Sequence, residues 1–121
     1  MSKKYADLAN ALKNLEQTEG QAVFKLPMVE DEWNTRPDTV SYGFYSWDFE
    51  ESQLEGNDRK LDRSYNGTVD LFSMAKSGAG WVEMIEDTLT ECCAASWELN
   101  SHQYERDTGL THWEWVFSIA R

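Results

Sequence analysis

Residues 62–89, DRSYNGTVDLFSMAKSGAGWVEMIEDTL, constrain the fold more than any other part of the chain, because two periods meet there at one small-residue break. Before the break, Tyr65, Val69 and Leu71 recur at even spacing, the alternation of a strand with one buried face. After it, Val82, Ile85 and Leu89 recur at three and four, as on one side of a helix. The spacing predicts a strand over 63–74 running into a helix over about 80–93, with Ser77 placed to cap it. The SGAG turn between them lacks both GxxxxGK[ST] and GxGxxG, and no lysine follows it. Glu83, Glu86 and Asp87 suit the positive end of the helix dipole but would repel a phosphate, so anion binding is not expected there.

The flanking segments extend the pattern. In residues 3–19 the positions Tyr5, Leu8, Leu12 and Leu15 share one helical face, three alanines raise helix propensity, and Gly20 is expected to stop the helix. AVFKL (22–26) reads as a short strand closed by Pro27, which has no donor for a ladder. A polar loop holding Trp33 and Pro37 leads to VSYGFYSWDF (40–49), rich in strand formers. There Val40, Tyr42 and Phe44 point one way and Tyr45, Trp47 and Phe49 the other, so both faces are apolar. The acidic segment 48–62, with its Gly56-Asn57 turn signal, is expected to be the tip of a long hairpin between the second and third strands. The C-terminal stretch reads as a hairpin around the three-residue turn Asp107-Thr108-Gly109, with Trp113, Trp115, Phe117 and Ile119 alternating on one face. The predicted order is α-β-β-β-α-β-β, an α+β class with a mainly antiparallel sheet packed against two helices, in a single domain over 1–121. Leu8, Leu12, Val69, Leu71, Ile85, Leu89, Trp115 and Phe117 are expected in its core.

Chemistry is harder to find. His102 and His112 flank the hairpin turn and could approach one another across it, but two histidines without a third ligand make a weak metal site. Carboxylate pairs are plentiful only because acids are: 22 Asp and Glu stand against 11 Lys and Arg, a net charge of -11. That balance argues against a groove that neutralises nucleic-acid phosphates. Cys92 and Cys93 are adjacent, without ligand spacing around them, and read as reduced thiols near a helix end. No nucleophile-base set stands out. The chain is expected to hold no metal and no cofactor and to catalyse nothing. No run approaches the ~18 apolar residues of a membrane span, so no membrane is expected among its partners. With 6 Trp among 121 residues, some aromatic rings are left over for an interface.

Four stretches in order, RPDTVSYGFYSWDFEESQ, LDRSYNGTVDLFS, VEMIEDTL and RDTGLTHWEWVFSIAR, resemble the tail terminator (tail completion) proteins of long-tailed bacteriophages and the related small head-tail joining proteins. The most telling matches are Val69-Asp70-Leu71-Phe72 and Thr108-Gly109-Leu110 with His112. The density of Trp and Tyr departs from that pattern. The resemblance implies a structural virion protein of the tail or neck, assembled in the host cytoplasm, that closes with itself into a ring, commonly of six. Such a ring caps the tail tube, joins connector proteins of the head, and lets DNA pass without specific binding through an acidic lumen. Tyr45, Trp47, Phe49, Leu54 and Leu61, on and around the expected hairpin, are the candidate contacts to the next subunit or the tail tube. The charge also admits another class: a small acidic DNA mimic that occupies a host DNA-binding protein.

Overall fold

In a computed structural model the described residues are 3–51, 63–92 and 96–120, with side chains described over 6–47, 66–92 and 96–119. Two helices, α1 (Lys3–Lys13) and α2 (Trp81–Cys92), accompany seven strands: β1 (Glu16–Glu19), β2 (Ala22–Lys25), β3 (Met28–Glu30), β4 (Ser41–Glu51), β5 (Arg63–Ser73), β6 (Ser96–Glu105) and β7 (Leu110–Ala120). β1 and β2 form a sheet of their own. The other five lie in the order β3-β4-β5-β7-β6, antiparallel except for the short parallel pair of β3 and β4 at one edge. The class is α+β, rich in strands.

The order α-β-β-β-α-β-β is not the one found. Five strands, not three, precede α2, and the chain's second and third strands do not form a long hairpin: β2 pairs with β1, and β3 pairs with β4. The strands expected over 40–49 and 63–74 are the fourth and fifth, paired antiparallel from Ser41↔Ser73 to Glu51↔Arg63. Residues 52–62, the expected hairpin tip, lie outside the described residues.

Of the two additional strands, β1 lies where the spacing predicts the end of the first helix and β3 in the stretch after Pro27 that reads as loop, while β2 is the strand expected over 22–26. Asn14 turns its side-chain amide back onto the Asn10 carbonyl (2.7 Å) and the helix stops at Lys13. Leu15 still reaches the core, so the apolar period survives the end of the helix and conceals it. Gly20 then serves a hairpin and not a helix end: Glu19 pairs with Ala22 around it, and its φ of 62° is the left-handed value that such a turn uses. At the other helix Ser77 caps its own turn, accepting from the Ala79 N–H (3.2 Å), while the Gly80 carbonyl opens α2.

Both helices lie on one face of the large sheet. Leu8 and Leu12 of α1 and Ile85 and Leu89 of α2, each fully buried, meet Tyr45, Val69, Leu71, Trp113, Trp115, Phe117 and Ile119 in one cluster. All eight expected core residues are buried. Each such aliphatic side chain contributes about 1.5–3 kcal/mol by leaving water. The indole N–H of Trp115, at the centre, donates to Glu86 Oε2 of α2 (2.9 Å), which spares a buried donor from going unpaired. Glu86 therefore ties the second helix to the sheet.

Candidate functional site

On the face away from the helices, strand alternation sets a row of rings. Trp33, in the loop before β4, donates its indole N–H to the Gly43 carbonyl (2.8 Å) and stands edge-on to Tyr42, centroids 6.5 Å apart. Tyr42 stacks on Phe72 of β5 (5.2 Å), and Phe72 stacks on His112 of β7 (4.1 Å, planes 15° apart). Phe44 joins the row through Phe72 (6.0 Å). A cleft of about 170 Å³ opens among Glu32, Trp33, Arg36, Tyr42, Phe44 and Phe72. Farther along the same sheet a shallower hollow of about 460 Å³ is lined by Asn66, Thr68, Ser96, Glu98 and Ser118, among others.

The row ends in charge. His112 Nε2 lies 2.7 Å from Asp70 Oδ2, and its Nδ1 faces Glu105 Oε2 at 3.4 Å. Asp70 is only 4% exposed, and its burial raises its pKa above the usual carboxylate value, an effect that the bond to His112 opposes. Burial pulls the His112 pKa down. The bond to Asp70 and the charges of Asp70, Glu105 and Glu114 together outweigh it, and the imidazole is held above the ordinary histidine value. Glu105 is itself tied to the hairpin turn. Its Oε1 accepts from Thr108 Oγ1 (3.2 Å), its carbonyl accepts from the Gly109 N–H (2.9 Å), and Thr108 Oγ1 accepts from the Leu110 N–H (3.2 Å).

The two short motifs that carry the resemblance thus meet in space. Asp70 and Phe72 come from one, Thr108 and His112 from the other. The sequence favours a structural histidine at His112 over a metal ligand, and the bond to Asp70 makes it a satisfied one; for Asp70 and Glu105 the sequence suggests no role. The signal for Asp70 was a lone acid between Val69 and Leu71, on the strand face that the apolar residues leave.

The two histidines do not approach each other. Leu99 pairs with Trp115, and an unbroken register would set His102 opposite His112. A bulge between Leu99 and Ser101 shifts the ladder by one, so His102 pairs with Trp113 and Gln103 with His112. A one-residue slip moves a side chain to the other face of a sheet. His102 accordingly stacks on Trp113 (4.8 Å) while His112 looks the opposite way. Four residues, Arg106 to Gly109, and not three, separate the paired Glu105 and Leu110. Among the described residues no group of three His, Cys, Asp or Glu is placed to hold a metal ion. No helix among them is long and apolar enough to cross a membrane.

Of the five residues expected at an interface, Tyr45 is 1% exposed and belongs to the core under the helices. Its phenol points into the layer that α1 covers, so it has no free surface to offer a second subunit. Trp47 is half-buried and packs against the same cluster. The backbone of Phe49 pairs with Tyr65; its side chain, and Leu54 and Leu61 altogether, lie outside the described residues. No protein-family model, curated protein or solved structure matches the chain.

Proposed function

We propose that this chain is a structural protein of a bacteriophage tail, of the tail-terminator type, that closes with copies of itself into a ring of six on the end of the tail tube. The observation that carries the reading is the second face of the large sheet. Among the described residues no helix covers it, yet it bears a continuous row of rings from Trp33 to His112. Tyr42 is buried and Trp33, Phe44, Phe72 and His112 are half-buried, so the rings largely cover one another, and the part they leave exposed is what a neighbouring subunit would cover. The net charge of -11 fits the same role, since an acidic channel repels DNA phosphates and lets a genome pass without holding it.

In this reading one subunit's patch meets a different patch on the next, and the ring closes because the rotation per contact divides a full turn. The ring row from Trp33 to His112 is one patch of such a pair, and Trp47, Phe49, Leu54 and Leu61 are assigned to the other. Tyr45 supports them from beneath as part of the core. Tail tube protein lies on one side of the ring and head-tail connector proteins on the other; the site is the virion, with assembly in the host cytoplasm.

The test is the mass of the purified chain by light scattering, alone and with tail tubes, together with the length of those tubes. A sixfold mass, or tubes capped at uniform length, is expected. A chain that stays monomeric at every concentration and leaves tube length unchanged refutes the reading. Such a monomer, if it captured a host DNA-binding protein in competition with DNA, would instead support the DNA mimic.

A further inference from the structure

We propose that His112 is a proton-operated latch on the open sheet face: protonated, it ties β5 and β7 to the turn between β6 and β7, and deprotonated, it releases that turn. The geometry comes first. Both ring nitrogens face carboxylate oxygens, Asp70 Oδ2 at 2.7 Å and Glu105 Oε2 at 3.4 Å. An ionised carboxylate only accepts, so a ring that serves both partners must carry a proton on each nitrogen. A neutral ring keeps one N–H. The shorter contact, to the buried Asp70, has first claim on it, because without it the Asp70 charge, shut off from water, would keep only the Thr68 hydroxyl as a side-chain donor. Nδ1 then presents a lone pair to Glu105, and attraction becomes repulsion.

The groups that set this balance come from each neighbouring element. β5 supplies Asp70 and Phe72. β6 supplies Glu105, beside the uncharged Gln103, and β7 supplies Glu114. One ring farther on lies Tyr42 of β4, which feels Arg36. Three acids against one imidazole outweigh its burial and favour the protonated form. What Glu105 loses, the turn loses, since its side chain holds Thr108 and Thr108 holds the Leu110 N–H. The edge strand β6 is therefore anchored to the sheet centre through a side-chain chain from Asp70 to Thr108 as well as through its ladder.

The experiment uses the full chain labelled with ¹⁵N and ¹³C. Below its titration midpoint both ring nitrogens of His112 should report as protonated, and that midpoint should lie above histidine's ordinary ~6.5. Through that midpoint, the amide-exchange protection factors of Gly109 and Leu110 should fall while those of Val69 and Trp115 hold. Glu105→Gln, a change at a half-buried position that keeps an acceptor, should lower the midpoint. A midpoint at or below histidine's ordinary value, or turn protection that stays level through the titration, overturns the latch. So does an unmoved midpoint in Glu105→Gln.

Discussion

Gly67→Ala is the smallest change that should do the greatest harm. Gly67 lies on β5, between β4 and β7, at the rung where Trp47 and Phe117 flank it. An added Cβ would run into the Ser46 carbonyl oxygen and lie 2.6 Å from the Phe117 ring and 2.9 Å from the Trp47 Cα. Two of these three obstacles are backbone atoms of the adjacent strand, which cannot rotate away. Relief requires β4 and β5 to separate at a rung that is laddered on both sides. Overpacking a core with one methylene costs about 1–3 kcal/mol where side chains can yield, and here the cost should reach the top of that range or pass it. A shift in melting temperature of roughly 10 °C or more follows for a chain of this size. Gly20→Ala is the companion. There nothing lies within 4 Å of the new Cβ, but φ is 62°, so only the left-handed backbone is penalised, by about 1–2 kcal/mol. Urea unfolding followed by tryptophan fluorescence should rank Gly67→Ala well below Gly20→Ala. Equal losses at the two sites, or a loss under about 1 kcal/mol at Gly67, would refute the close approach of the strands.

Other changes test other links. Glu86→Ala removes the acceptor of the buried Trp115 indole and should cost about 1–3 kcal/mol in the same unfolding assay; no loss would show that the 2.9 Å bond is dispensable. The pKa values of His112 and Asp70 are both raised in the folded chain, so each favours folding most when protonated. The His112 contribution is whole below about pH 6.5 and is lost as pH rises through its folded value; for Asp70 the corresponding loss begins above about pH 3.9. Unfolding free energy should therefore decline with rising pH across these windows, and Asp70→Asn should flatten the decline; a stability that climbs from pH 6 to 8 would contradict the sign. Phe49→Ser, Leu54→Ser and Leu61→Ser together should leave the monomer's melting unchanged and abolish ring closure; rings that form as before would remove these residues from the interface.

The sequence alone determined the elements with the strongest periods. Val69 and Leu71 two apart, Ile85 and Leu89 four apart, and the Trp113-to-Ile119 alternation each repeat a burial pattern that only one backbone conformation can satisfy. They gave the α+β class and the core. Where apolar spacing ran on through a change of backbone, as at Leu15, the period hid the end of the first helix and the β1–β2 pair beyond it. Pairing partners were decided by tertiary structure, because a strand's own residues say which face is buried but not which neighbour it joins. So β3 could lie parallel to β4 without any local mark.

The same limit governed the candidate site. Its residues were visible as letters, Asp70 in one motif and His112 in another, 42 positions apart. What joined them was the register of β5 with β7, and what parted His102 from His112 was a single bulged residue in β6. Spacing along the chain is local, and a register is a sum over a whole ladder. One extra residue anywhere in it turns every later side chain to the other face of the sheet, and with it decides whether Asp70 meets a histidine.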